Sequence, residues 1–496
     1  MSEQTVVTLN IMGVENQGIL NALKVLSESF FKSIEFSTES PTYVLQFVEV
    51  QVGTTLTVTG TLQDNTITLT KELTKDAEVR MIKYTYLGVC LQLLQQVTKK
   101  IQPWGLLTGM RPTKMVHGMK KRGFTDDDIK QYLQSEYFVS DEKMALLLDV
   151  ANHQLQVIPD LYTIQDEVSL YIGIPFCPTR CAYCTFAAYA YQPFKKWVEP
   201  FLDTLLEEVK QIGAYIKTHQ ITVTSIYFGG GTATTLSVSQ FERLTEAVYT
   251  HIASSQEVRE VTVEAGRPDT IDDEKLALLK RYKMERISIN PQSFNQETLD
   301  RIGRHHTVED VVTKFELAKA YNFENVNMDI IVGLPGEQTE ELAHTLDSLA
   351  KLQPESVTVH MLAFKRKSEL TKNRGLYTTA DDDELDKMAQ MTYDFAKTHH
   401  YLPYYLYRQK NISANMENIG YSKKGHESIY NILMMEEAQN VLGLGVGASS
   451  KYLIGTSVHN PKDIKTYIES YEQYVQKKLE TLEESLAIGD TYQTIY

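Results

Sequence analysis

From residue 168 onward, short segments rich in Val, Ile and Tyr alternate with amphipathic segments of helical period. This alternation restricts the fold more than any other feature, because repeated strand–helix units build a parallel sheet with helices packed on its faces. Six strands are expected, at 168–174, 224–229, 260–266, 285–290, 325–333 and 356–362. Between the first two, Trp197, Phe201, Leu205, Val209, Ile212 and Ile216 fall on one helical stripe. Ser237, followed three residues on by Gln240, forms a capping box that opens the next helix. Six such units predict an α/β fold, a partial (β/α)6 barrel rather than a closed eightfold one, and barrels carry their chemistry at the carboxyl ends of the strands.

A chain of 496 residues exceeds one ordinary core and is expected to divide. The expected domains are an α+β extension over 1–165, the partial barrel over 166–375 and a mixed C-terminal domain over 376–496. In the first, segments 42–52 and 54–69 alternate apolar and polar residues around turns at Gly53 and 63–65, which predicts a small antiparallel sheet. Helices are expected at 104–122, 126–135 and 141–155, with another at 382–399 and a Gly-rich stretch at 442–450. A net charge of -15 argues against a nucleic-acid partner. No apolar run reads as a membrane helix, and the opening Met-Ser-Glu-Gln is not a signal segment, so a cytoplasmic protein without membrane partners is expected.

Three of the four cysteines, Cys177, Cys181 and Cys184, are packed into the loop after the first strand. Structural zinc needs four N or S ligands, and no histidine lies between His153 and His219. A disulfide framework suits small secreted chains, which this is not. Cys90, far away, reads as a buried structural residue. Three thiolates on one loop can hold three irons of a 4Fe-4S cube, leaving the fourth iron open to a small chelator. Other conspicuous residues fall at the same end of their strands: Gly229, Gly230, Gly231 and Thr232 after strand two, Glu264 at strand three, Gln292 after strand four and Ala363 after strand six. Glycines there let a ligand approach the backbone without side-chain interference.

The C-x3-C-x2-C spacing resembles the radical SAM superfamily, in which the amino and carboxylate groups of S-adenosyl-L-methionine (SAM) chelate the open iron. More specifically, Tyr171 with the cysteines, Tyr227-Phe-Gly-Gly-Gly-Thr232, Gln292-Ser-Phe-Asn295, Arg304, Asn327-Met-Asp-Ile-Ile-Val-Gly-Leu-Pro-Gly336 and Leu442-Gly-Leu-Gly445 resemble the oxygen-independent coproporphyrinogen III dehydrogenases. The long N-terminal extension, with Leu106-Leu-Thr-Gly-Met-Arg-Pro-Thr-Lys114, and the run His426-Glu-Ser-Ile-Tyr430 are most similar to the HemZ-type branch. The resemblance implies one 4Fe-4S cluster on Cys177, Cys181 and Cys184, and SAM contacts at Tyr171, Gly229, Gly230, Gly231, Thr232, Glu264, Gln292, Arg304, Asp329 and Ala363. The residue chemistry suits that role. Glu264 and Asp329 accept from ribose hydroxyls or an amino group, Gln292 can do either job, and Arg304 can pair with a carboxylate. The chain departs from the family pattern at Ala233, Pro291 and Phe186, where proline, glycine and a fourth cysteine are common.

The activity implied is radical oxidative decarboxylation of two propionates of coproporphyrinogen III, giving protoporphyrinogen IX, with an external one-electron reductant such as flavodoxin or ferredoxin. The rival expectations are a haem-binding or haem-trafficking protein of the same family and an enzyme acting on another tetrapyrrole. Lys365, Arg366 and Lys367, with Lys372 and Arg374, form a basic cluster after strand six in an otherwise acidic chain, suited to propionate carboxylates. Arg408 and Lys410 are further substrate candidates.

Overall fold

The computed structural model describes residues 6–31, 33–75, 78–107, 109–186, 188–253, 257–365, 368–409 and 416–488. They divide into two compact units, Met1–Pro112 with Met119–Leu148, and Thr113–Gly118 with Asp149–Tyr496.

Alternation in 43–72 does what its period dictates: β3 (Tyr43–Val52), β4 (Thr55–Leu62) and β5 (Asn65–Glu72) pair antiparallel, burying Leu45, Phe47, Leu56, Val58 and Leu62. The sheet is mixed rather than wholly antiparallel, because β1 (Val7–Met12), α1 (Gln17–Glu28) and β2 (Ile34–Phe36) form a strand–helix–strand unit whose β1 also runs parallel to β3. Helix α2 (Glu78–Thr98) packs on β4 and β5. The helix expected over 104–122 is shorter, α3 (Thr113–Lys121): Pro112 lacks an N–H and sits at its N-cap, and Leu106 N–H bonds to Tyr137 O instead of to a helical carbonyl. Helices α4 (Asp126–Tyr137) and α5 (Asp141–Val157) follow.

In the second unit the strands are β6 (Val168–Ile174), the two-residue pair β7 (Phe176–Cys177) and β8 (Tyr189–Ala190), β9 (Val223–Gly230), β10 (Glu260–Glu264), β11 (Arg286–Ser288), β12 (Asn325–Val332) and β13 (Ser356–Met361). The helices between them are α6 (Tyr191–Phe194), α7 (Val198–Thr218), α8 (Val238–His251), α9 (Asp273–Arg281), α10 (Gln296–Arg301), α11 (Val308–Ala320) and α12 (Thr339–Leu352). β6 and β9 to β13 lie side by side, all parallel, in chain order. Both faces of these strands are covered, so Leu170, Ile172, Ile226, Phe228, Val263, Ile287, Val326, Met328 and Ile330 are fully buried. Each such side chain contributes about 1.5–3 kcal/mol of burial free energy.

The tail comprises α13 (Glu369–Lys372), α14 (Asp382–Thr398), β14 (Leu402–Tyr407), β15 (Asn418–Ser422), α15 (Ile429–Glu436), β16 (Asn440–Gly445), β17 (Ser449–Lys451), β18 (Ser457–His459) and α16 (Ile464–Ile488). Its strands extend the barrel sheet at both edges, giving the order β14-β15-β13-β12-β11-β10-β9-β6-β16-β17-β18. The sheet is open, and 376–496 therefore shares its sheet and its compact unit with the barrel rather than standing apart. Helix α16 is anchored by the fully buried ion pair of Lys478 with Glu208 of α7. Glu208 also accepts from Gly445 N at 2.8 Å and Tyr467 Oη at 2.5 Å. Among the described residues, no helix is long and apolar enough to cross a membrane.

Candidate functional site

The cysteine loop leaves the carboxyl end of β6 and is clipped at its base, where Phe176 and Cys177 of β7 pair with Tyr189 and Ala190 of β8. Its far side is tied by Ala182 N to Ile302 O and by Leu370 N to Ala182 O, both 2.9 Å. Tyr183 packs on the apolar cluster of Leu299, Ile302, Ile331, Leu334, Leu362 and Leu370. The Cys177 sulfur lies 3.6 Å from Thr232 Oγ1, and the Cys181 sulfur 3.9 Å from Arg304 Nη1. Among the described residues no three His, Cys, Asp or Glu side chains converge on a single ion. A cluster makes a different demand, since each sulfur takes a different iron and the sulfurs stand apart.

The glycine loop after β9 is laced to the stem of this cysteine loop. Gly231 N–H bonds to Ile174 O at 2.7 Å and Thr232 N–H to Phe176 O at 2.8 Å. A β-carbon on Gly231 would lie 2.5 Å from Phe176 O and 3.0 Å from the Cys177 sulfur. Glycine is needed here for that approach.

A cavity of about 250 Å³ opens over the strand ends. Its walls include Cys177, Cys181, Cys184, Gly230, Gly231, Thr232, Glu264, Gln292, Arg304, Asp329, Ala363 and Lys365. Gln292, following β11, is held by its backbone against β12, with N–H to Asp329 O and its carbonyl to Ile331 N, both 2.9 Å. Its φ of +67° is the left-handed region, which costs a non-glycine residue about 1–2 kcal/mol. The strained backbone fixes a buried side chain whose Oε1 finds no partner among the described residues. Arg304 is buried, with Nη2 donating to Gly266 O at 2.5 Å and to Asn290 O, while Nε finds no partner among the described residues.

The two carboxylates of the cavity are pushed in opposite directions. Burial, reinforced by the nearby Asp329 charge, raises Glu264 to about 8, against the opposing pull of its 3.5 Å hydrogen bond from Tyr227 Oη. Burial also acts on Asp329, but His360 and the amide of Asn327 outweigh it and hold Asp329 below the usual carboxylate range. At neutral pH the cavity thus offers one carboxylic acid and one carboxylate. Below it, Tyr171 stacks on Tyr227 at 6.0 Å, and Tyr430 stacks on the other ring at 4.7 Å.

The cavity brings together the three cysteines and most of the residues expected around SAM. Tyr171 and Gly229 lie outside its lining, Tyr171 within the stack and Gly229 beside Glu264. Of the basic cluster, Lys365 lines the cavity, whereas Lys372 and Arg374 do not, and Arg374 stacks over Phe364 at 4.2 Å. Arg366, Lys367 and Lys410 lie outside the described residues. Arg408 is buried and off the cavity wall, under the influence of Glu417, although its neighbours Tyr407 and Gln409 line that wall. Asn290, His360, Tyr407 and Arg267 also line it and were not anticipated. The strand-end rule that singled out Ala363 extends to Asn290, two residues past β11, and to His360, the last residue but one of β13.

Residues 171–349 match the family model described as the radical SAM superfamily. Over 490 residues, spanning 96% of this chain and 98% of the relative, the sequence is 44% identical to the "Oxygen-independent coproporphyrinogen-III oxidase-like protein HemZ" of Bacillus subtilis. The "Heme chaperone HemW" of the same organism is 32% identical over 304 residues, covering 61% of this chain and 75% of that one. Among solved structures, the Escherichia coli coproporphyrinogen III oxidase HemN, whose description calls it a radical SAM enzyme, shares the fold at a TM-score of 0.50 and 22% identity, over 66% of this chain and 73% of that one. Membership of the radical SAM superfamily implies a 4Fe-4S cluster and SAM. With strand order, cavity and near full-length identity all in agreement, this chain belongs to the oxygen-independent coproporphyrinogen-III oxidase-like family of radical SAM proteins.

Proposed function

We propose that this protein is a radical SAM oxidoreductase of porphyrin and haem biosynthesis, converting two propionates of coproporphyrinogen III to vinyl groups and so yielding protoporphyrinogen IX. The observation that carries this reading is the convergence on one cavity of three thiols, the carboxyl groups of Glu264 and Asp329 and an exposed lysine, in a chain 44% identical to a coproporphyrinogen oxidase-like protein.

The residues fit the implied groups. Cys177, Cys181 and Cys184 would each hold a different iron. The unpartnered Gln292 Oε1 and Arg304 Nε point to a polar ligand, for which Arg304 offers a match to a carboxylate. Asp329, ionised, would accept from ribose hydroxyls, and Glu264, neutral, has an O–H to donate as well as an oxygen to accept. Gly230, Gly231 and Thr232 bring backbone to the ligand, Ala363 leaves room for it, and Tyr171 supports the floor through Tyr227. When bound, the cluster and SAM supply one-electron chemistry and an acceptor for a hydrogen atom.

The chain's own task is to hold the β-carbon of a propionate toward that acceptor and to exclude water. Lys365 at the rim would pair with a propionate, with Arg366 and Lys367 as further partners. Once the β-carbon gives up a hydrogen atom, the carboxylate departs as carbon dioxide and one electron passes to an external acceptor, leaving the vinyl double bond. Electrons for the cluster would come from a one-electron reductant such as flavodoxin or ferredoxin.

The similarity to a haem chaperone over 61% of the chain supports a second reading, haem binding without decarboxylation. Anaerobic incubation with coproporphyrinogen III, SAM and dithionite separates them. Vinyl product formed together with 5'-deoxyadenosine is the expected result; stoichiometric haem binding with no vinyl product would favour the second reading, and product from a different porphyrinogen alone would move the substrate.

A further inference from the structure

We infer that His360 is a positioning residue of this site, its ring held by Tyr407 and Gln409 and set against the Asp329 carboxylate. The inference rests on the reading of Asp329 as the acceptor for SAM.

His360 is the last residue but one of β13, with its ring in the cavity wall. Its Nε2 lies 3.6 Å from Asp329 Oδ2, and its Nδ1 lies 3.1 Å from Tyr407 Oη. Gln409 Nε2 donates to that same Tyr407 oxygen at 3.3 Å. The Gln409 amide N–H can only donate, so it takes a lone pair of the Tyr407 oxygen and leaves the Tyr407 hydrogen free for His360 Nδ1. With Tyr407 accepting from Gln409 and giving its own hydrogen to His360 Nδ1, the one N–H of the neutral ring sits on Nε2, facing Asp329.

Asp329 depends on this arrangement. Asn327 Nδ2 occupies Oδ1 at 2.7 Å and Asn290 Nδ2 occupies Oδ2 at 2.9 Å, yet both amides are uncharged. Among the described residues no lysine or arginine forms an ion pair with Asp329, and the His360 ring, 3.6 Å away, is a further polar group beside that buried carboxylate. A buried carboxylate without such a partner is poorly held. Partners of this kind fix the orientation of the group that touches the ligand.

The test is equilibrium SAM binding to cluster-loaded protein, with iron content and thermal midpoint as folding readouts. His360→Leu is expected to weaken SAM binding by about tenfold, the scale of losing one polar neighbour of a buried charged group, with iron content unchanged. His360→Gln, whose amide N–H can still reach Asp329, should recover part of the loss. Tyr407→Phe removes a single oxygen and keeps the test readable should the leucine variant fold poorly; it should weaken binding less than His360→Leu. The Asp329→Asn/His360→Leu pair should bind no more weakly than Asp329→Asn alone. Parent-like binding by His360→Leu and Tyr407→Phe, or additive losses in the pair, would overturn the inference while leaving the site intact. Parent-like binding by Asp329→Asn would instead remove the reading on which it rests.

Discussion

Gly231 faces Cys177 so closely that a single added methyl group would stand 3.0 Å from the cysteine sulfur and 2.5 Å from the carbonyl of Phe176. The glycine loop of one strand and the cysteine loop of another thus share one packed seam. Gly231→Ala should displace Cys177, lowering reconstituted iron and stability together, the latter by about 1–3 kcal/mol as for other overpacked sites. Gly375→Ala, where an added methyl meets open space, is the control. Iron content of both variants after anaerobic reconstitution checks this, and equal content would mean the seam tolerates the methyl.

Removal of any one thiol, by Cys177→Ala, Cys181→Ala or Cys184→Ala, should abolish the brown iron–sulfur absorbance. Cys90→Ala should keep it, because that thiol is fully buried in helix α2 of the first compact unit and pushed up to about 12 by burial. Iron loss from Cys90→Ala equal to the others would break the three-ligand assignment.

Glu264 gives a pH signature in the SAM-free protein. Its folded value of about 8 exceeds the ordinary 4.5, so the neutral form is favoured by folding. The stability that follows is complete below 4.5 and is lost as pH rises through 8. Glu264→Gln does not titrate, so its stability relative to the parent should rise across that window, by up to about 1.4 kcal/mol per pH unit, and level off above it. Urea unfolding at a series of pH values measures the difference; a constant offset would show that Glu264 is ionised throughout.

Lys478→Met should cost about 3–5 kcal/mol, because it leaves the buried Glu208 charge without its cation. An unfolding midpoint close to the parent's would mean that Gly445 N–H, Asn460 and Tyr467 satisfy Glu208 unaided.

Much of the barrel was legible in the sequence because its strands are buried on both faces and its helices on one, so their periods differ plainly. The residues 168–174 coincide with β6, and the stripe from Phe201 to Ile216 is buried along α7. The helix over 78–98 left no such mark. Thr85 to Leu91 are buried without a break, so α2 has no polar stripe to reveal its period. The tail was read as separate because β14 and β15 are antiparallel additions to a parallel sheet, and sequence order says nothing of which edge a strand joins. In the site, the cysteines and glycines stood out by spacing. His360 and Asn290 did not, since one polar residue at a strand end has no spacing to mark it, and their meaning comes only from a partner on another strand.

Lys365 lines the cavity and is exposed, so Lys365→Glu should weaken porphyrinogen binding and flatten its salt dependence, because attraction to propionates at an exposed rim is screened as ionic strength rises. Binding titrations at low and high salt check it. Unchanged affinity and salt slope would mean that Lys365 is a solvated surface residue.

The most direct test of the account uses coproporphyrinogen III deuterated at the β-carbons of its propionates, incubated anaerobically with the reduced protein and SAM. The account predicts deuterium in the 5'-deoxyadenosine, vinyl product alongside it, and neither from Cys181→Ala. Unlabelled 5'-deoxyadenosine with the porphyrinogen recovered intact would contradict it, because the hydrogen atom would then have come from somewhere other than the propionate.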